Sequence, residues 1–288
     1  MRAGKRMLPV LAAVLLMVGL CGLAAAEVES IPLDMLSHGT PPKAEGWIVP
    51  NREYEDESIH VVLNERTNYK SKSSDGGITI HWAVVEIKDP SQLRTALSYD
   101  SFEDKKAATA PEMVAYLNPV VAFNDDYAKM NIFKGYVIRQ GVFCKDDLDE
   151  WEEELKQDVL VIDDQGDLSP VLKASSADVQ AFLAELEGQG RQAVNVFTFG
   201  PVLVLNGEVQ KIERSTSTHS INLAMARTVF CQLDTLKYAV FAADAPKTGY
   251  GINCEELANF IVKTFPDCKI AYNLDRSEER RVGKECRS

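Results

Sequence analysis

Three apolar runs in this 288-residue chain end in side chains able to do chemistry. Val120 to Phe123 delivers Asn124-Asp125-Asp126-Tyr127, Tyr238 to Ala243 delivers Asp244, and Cys268 to Leu274 carries Asn273 and delivers Asp275. Carboxylates supply general acids, bases and nucleophiles, and amides hold hydroxyl groups or orient a carboxylate. Each alone is accounted for equally well as a turn former. Three of them just past the ends of strands point to one shared cleft, because ligand sites gather there. The other reactive side chains are less suggestively placed. His38, His60, His81 and His219 are scattered without ligand spacing, neither H-E-x-x-H nor C-x-x-C occurs, and no metal or cofactor is expected. A cysteine hydrolase using Cys144 or Cys231 with His219 rests on composition alone. The acidic run Asp146 to Glu154 lacks the spaced Gly turn of a calcium loop and reads as a solvated face.

Both ends of the chain read as separate from the fold. Residues 1–26 carry Arg2, Lys5 and Arg6, an apolar core from Met7 to Leu23, and the small residues Ala24-Ala25-Ala26. That is the pattern of a secretory signal peptide, so export to the cell envelope or beyond is expected, with no membrane span in the mature chain. Residues 276–288, Arg276 to Ser288, have no apolar period and resemble the read-through of a sequencing adapter. They are read as a non-native tail that leaves the domain C-terminally incomplete after Asp275, and a chain truncated there is expected to be inactive.

The intervening segment of about 250 residues is long enough for one main domain. The whole chain has a formal net charge of −12. The leader holds three basic residues and the tail an excess of two, which puts the segment between them at −17. Such a surface repels phosphate backbones and argues against nucleic-acid binding. Of six cysteines, Cys144, Cys231, Cys254 and Cys268 fall inside this segment. Cys254 and Cys268 flank one predicted helix and are the favoured disulfide among three connectivities, with buried free thiols as the alternative.

The elements that would position the polar residues are legible from period and punctuation. Residues 27–77 read as an extended lead-in with one strand at Ile59 to Leu63, and the domain proper as 78–275. Gly77 to Ile87 is a strand apolar on both faces. Thr109-Ala110-Pro111-Glu112 is a capping box opening a helix to Leu117, and Pro119 to Phe123 reads as a strand. Hairpins are expected at Gly135 to Phe143, at Val159 to Leu168, and at Asn206-Gly207. Ser175 or Ser176 caps a helix with Val179, Phe182, Leu183 and Leu186 on one face. Asn253 caps another, with Leu257, Phe260 and Ile261. The fold class is α+β: a mixed, largely antiparallel sheet with a few flanking helices in a single main domain.

From Ile80 to Asp275 the chain resembles bacterial members of the phosphodiester glycosidase family. The family includes an enzyme that removes N-acetylglucosamine from covered phosphomannose groups. The resemblance is carried by His81 to Arg94, Ala122 to Tyr127, Gly135 to Gly141, Phe199-Gly200-Pro201, Arg227-Thr228, and Glu255 to Ala258 leading to Tyr272-Asn273-Leu274-Asp275. It departs at Asp125, where the family has Gly, and at Ala245-Pro246, where Gly and Arg are expected. The glycine-serine loop that follows the last aspartate in the family is also missing.

The resemblance implies hydrolysis of a sugar 1-phosphodiester at the anomeric carbon, with a glycan or sugar phosphate as substrate. Asp126 and Asp275 would be nucleophile or base, and Asn124 would hold a sugar hydroxyl or orient a carboxylate. Arg227 would clamp the phosphate, with Thr228, Asp244 and Asn273 completing the binding set. The phosphodiester already leaves well as an anion, so cationic stabilisation matters more than acid assistance. A non-catalytic glycan-binding or envelope protein on the same fold is the alternative.

Overall fold

A computed structural model describes residues 38–49, 52–72, 77–102, 108–124, 128–129, 132–133, 135–150, 156–212, 223–245 and 251–275. The expected signal peptide, the C-terminal tail, Asp126 and His219 lie outside them. Strands β1 (Trp47–Val49), β2 (Glu53–Glu55), β3 (Ile59–Lys70) and β4 (Gly77–Ile87) come first, followed by α1 (Ala110–Leu117). Then come β5 (Ala128–Lys129), β6 (Ile132–Phe133), β7 (Tyr136–Arg139), β8 (Val142–Asp146), β9 (Val159–Asp163) and β10 (Leu168–Val171). Helix α2 (Ser176–Gly188) precedes β11 (Ala193–Thr198), β12 (Val202–Leu205), β13 (Glu208–Val209), β14 (Arg227–Asp234) and β15 (Lys237–Ala243). Helix α3 (Cys254–Thr264) and β16 (Ile270–Leu274) complete the order.

The strands form a nine-stranded sheet, β1-β2-β3-β4-β15-β14-β16-β12-β13, and a five-stranded sheet, β10-β9-β11-β7-β8. β5 and β6 form a small pair apart. Every described pairing in the two large sheets is antiparallel. The α+β, largely antiparallel reading holds, with the strands divided between two sheets. No described helix is long and apolar enough to cross a membrane.

Side-chain alternation sets the layers, because odd and even residues of a strand face opposite ways. On β14 and β15, Val229, Cys231, Ala239 and Phe241 turn toward α3 and pack with Leu257, Ala258 and Ile261. Phe230, Tyr238 and Val240 turn the other way and pack with Leu160, Ile162 and Phe197 of the five-stranded sheet. The far face of that sheet buries Val159, Val161 and Val196 against Val179 and Leu186 of α2. The order is therefore helix, nine-stranded sheet, five-stranded sheet, helix. Polar side chains also tie the two sheets: the Tyr238 hydroxyl donates to Gly166 O (2.7 Å) and Gln232 Oε1 accepts from Leu168 N (2.9 Å).

Local chemistry explains the element boundaries. Thr109 and Glu112 cap each other's backbone at α1, Ser175 and Asp178 do the same at α2, and Asn253 Oδ1 accepts from Glu256 N (2.8 Å) at α3. Asn206 (φ 51°) and Gly207 (φ 77°) make the two-residue turn joining β12 to β13.

Two expectations are corrected. Pro119 to Phe123 is not a strand. It crosses over the face of the nine-stranded sheet, with Val120 and Val121 packed on Tyr54, Val61 and Ala83, and Phe123 on Phe230 at 5.2 Å. Its apolar run reflects packing of Val120, Val121 and Phe123 on the sheet face rather than strand pairing. The disulfide expectation fails as well: Cys144, Cys231, Cys254 and Cys268 are free thiols. Cys254 opens α3 and Cys268 lies beyond its other end, and a helix of 11 residues separates them by about 16 Å, too far to bridge. The strand read at Ile59 to Leu63 runs on to Lys70.

Candidate active site

The antiparallel ladder explains how separate strand ends meet. β14 runs opposite to both its neighbours, so its first residue lies beside their last ones. Arg227 pairs with Ala243 at the end of β15, and Thr228 pairs with Leu274 at the end of β16. One further step in register puts Asp275 beside Arg227 and Asp244 just past it on the other side. Arg227, Asp244 and Asp275 thus share one end of the nine-stranded sheet. Asn124 joins them from the crossing segment: its Nδ2 donates to Asp275 O, and its Oδ1 lies 3.5 Å from Thr228 Oγ1.

Arg227 is buried, on the α3 side of the sheet. Its Nε donates to Ile252 O (3.3 Å) and an η nitrogen to Leu223 O (2.7 Å), which fixes the plane of the guanidinium fork. Met225 and Ile252 exchange backbone hydrogen bonds (3.1 and 3.0 Å), closing the chain around that side chain. A Cβ on Gly251 would come within 2.2 Å of Met225 O, so the approach of these two segments requires glycine there. Burial pushes the neighbouring Cys254 thiol up to about 11, against the opposite pull of the Arg227 charge. Cys254 is therefore a neutral, unreactive wall rather than a nucleophile.

The asparagines are held by backbone. Asn273 Nδ2 donates to Gly200 O (2.7 Å) and its N–H to Pro201 O (3.1 Å), while its buried Oδ1 has no hydrogen-bond partner. The adjacent Tyr272 hydroxyl accepts from Phe199 N (2.9 Å) and donates to Asp158 O (2.6 Å). Together they pin the Phe199-Gly200-Pro201 turn against the end of β16. Asp244 is exposed and accepts from Thr79 N (2.8 Å), closing the β4–β15 ladder with its own side chain.

Of the residues expected from the sequence, Asn124, Arg227, Thr228, Asp244, Asn273 and Asp275 are brought to one end of the sheet, and Asp126 lies outside the described residues. Sequence reading missed the supports: Leu223, Met225 and Ile252, which act through backbone atoms and leave no side-chain signal. It also passed over Tyr272 as a clamp, although a tyrosine inside an apolar strand was a cue that its hydroxyl needed a partner. Among the described residues no group of three His, Cys, Asp or Glu side chains is placed to hold a metal ion.

The fold thus sets two antiparallel sheets between helices, with a buried cation and carboxylates at shared strand ends. The chain belongs to the phosphodiester glycosidase family, whose model matches residues 117–275, more than half of its length. Among solved structures it is similar to the catalytic domain of zebrafish N-acetylglucosamine-1-phosphodiester alpha-N-acetylglucosaminidase auto-inhibited by its pro-peptide. That likeness has 16% identity and a TM-score of 0.48 over 75% of this chain and 70% of that one. A hypothetical protein from Synechocystis is similar at 12% identity and a TM-score of 0.48, over 76% of this chain and 56% of that one. No curated protein sequence matches the chain.

Proposed function

We propose that the chain is an exported glycosidase that hydrolyses a sugar 1-phosphodiester, with Arg227 holding the phosphate and Asp275 facing the anomeric carbon. The observation that carries this reading is the meeting of Arg227 and Asp275 at adjacent strand ends in a member of this family. The C1–O bond breaks with its electron pair going to the phosphomonoester. Arg227 offsets the charge that develops on the leaving oxygen, and Asp275 stabilises the positive charge at the sugar ring. Asn124 orients Asp275 through its backbone oxygen. Asp126, two residues after Asn124, is the second carboxylate of this reading. The apolar leader supports an exported setting.

Release of the chromophore from an aryl sugar 1-phosphodiester tests the reading. Arg227→Lys, which keeps the charge but loses the fork, is expected to lower kcat/KM by about a hundredfold. A rate unchanged by Arg227→Lys would overturn the assignment. One departure favours a second reading: Ala245 and Pro246 stand where the family has Gly and Arg. On that reading the protein binds the sugar phosphate without turning it over, and binding with no release of chromophore would establish it in place of catalysis.

A further inference from the structure

Two of the buried thiols meet inside the fold. Cys231 lies in the middle of β14 and turns toward α3, where it shares one buried cluster with Cys268 from the loop between α3 and β16. β14 and β16 are ladder neighbours, with Cys231 opposite Ala271 and Gln232 opposite Ile270. The chain entering β16 keeps to that ladder. Lys269 N donates to Gln232 O (2.9 Å), so Cys268 arrives one residue earlier, against the backbone of β14. Its Sγ lies 3.3 Å from Ile270 O and 3.8 Å from Gln232 O, and it accepts a hydrogen bond from the Cys231 thiol. Neighbouring strands are about 4.8 Å apart, inside the ~4.4–6.8 Å that a disulfide spans between Cα atoms. Cys144 sits on β8 of the other sheet, and Cys254 opens α3 beside Arg227. Among the pairings open to these four cysteines, contact therefore selects Cys231 with Cys268.

The position of the pair bears on the candidate site. β14 begins at Arg227 and β16 runs out to Asp275, so a bond between Cys231 and Cys268 ties together the two strands whose register sets those side chains next to each other. It would also close a long loop that contains β15 and α3, the kind of closure that restricts the unfolded chain most.

We infer that Cys231 and Cys268 are a modification site, joined as a disulfide while the exported chain folds, with a small-molecule or protein disulfide as the oxidant. One cysteine thiolate attacks a sulfur of that disulfide, which gives a mixed disulfide and releases one thiol. The second cysteine attacks the protein sulfur of the mixed disulfide and releases the other. Two protein thiols are oxidised to one disulfide, the oxidant is reduced to two thiols, and the two cysteine protons pass to the released sulfurs. Both positions are fully buried in the finished fold, so exchange belongs to folding and the completed bond is shielded from reductants. The inference rests on the exported setting proposed above and is independent of the glycosidase chemistry.

The test refolds the full chain from urea in two ways, in dithiothreitol and in a mixture of oxidised and reduced glutathione. Each product is then unfolded in iodoacetamide and its peptides are mapped without reductant. After dithiothreitol, Cys231, Cys254 and Cys268 are all expected to be alkylated. After glutathione, Cys231 and Cys268 are expected as one cross-linked peptide pair, with Cys254 still alkylated. Alkylation of both Cys231 and Cys268 after glutathione, or another partner for either, would overturn the inference. The cross-linked chain is expected to melt about 5 °C or more above the reduced one, a difference that Cys268→Ala abolishes. Equal melting points for the two covalent states of the parent would overturn the claim that the bond staples β14 to β16. That comparison uses a single sequence, so it stands whether or not the variant folds, and it needs no turnover of a sugar phosphodiester.

Discussion

Replacing Tyr272 by Phe removes one oxygen from the centre of the molecule and leaves the ring in place. The hydroxyl is fully buried, accepts from Phe199 N at 2.9 Å and donates to Asp158 O at 2.6 Å. No cavity larger than that oxygen is created, so the cost is that of two backbone groups losing their partner. Each buried group left unsatisfied costs about 1–3 kcal/mol, and the half-buried setting of Phe199 N favours the lower end, for a total of about 3 kcal/mol. With a urea m-value of about 3 kcal/mol/M, the unfolding midpoint should fall by about 1 M without a change in m. Tyr238→Phe is the internal control. It loses a single bond, to Gly166 O, and should lose about half as much. Urea titrations followed by fluorescence and by far-UV circular dichroism read both. A midpoint shift for Tyr272→Phe below about 0.3 M, or one smaller than that of Tyr238→Phe, would refute the claim that this hydroxyl couples the two sheets to the 199–201 turn.

Two further outcomes follow from buried and capped groups. Burial pushes the Asp56 carboxyl up, but hydrogen bonds from the Tyr54 hydroxyl, Ser58 and Ile59 outweigh it and hold it below its ordinary value. A carboxyl whose folded value is depressed adds stability above its unfolded value of about 4, and that stability is lost as pH falls through the folded value. Asp56→Asn should therefore melt lower than the parent at pH 7, with the gap narrowing below pH ~4; a gap independent of pH would contradict the assignment. For the thiols, iodoacetamide at pH 8 should modify Cys144 in the native chain and reach Cys231, Cys254 and Cys268 only after unfolding, since those three are fully buried and burial raises Cys231 and Cys254. Peptide mapping reads the result, and a Cys254–Cys268 cross-link surviving denaturation without reductant would contradict the free-thiol state.

The alternating and capped stretches were legible in the sequence because their signals are local. Ile78, Ile80 and Trp82 announce β4, Thr109 with Glu112 announces α1, and Asn206-Gly207 announces a hairpin turn, each through interactions within a few residues. Pro119 to Phe123 misled for the complementary reason: apolar content reports contact with the core, and a partly buried crossing segment makes that contact without pairing as a strand. Cys254 and Cys268 misled because closeness in sequence across a helix is distance in space.

By itself the sequence determined the composition of the site and its family: the polar residues Asn124, Asp244 and Asp275 that follow apolar runs, and Arg227 with Thr228 among the stretches that carry the resemblance. It could not say that these residues meet. That was decided by the order of the nine-stranded sheet, in which β14 lies between β15 and β16 and runs against both, so a strand beginning and two strand endings become neighbours. Pairing partners far apart in the chain are chosen by the burial of whole faces, a property of the assembled layers. Side-chain chemistry is written locally, whereas its juxtaposition depends on which long-range pairing buries the most apolar surface.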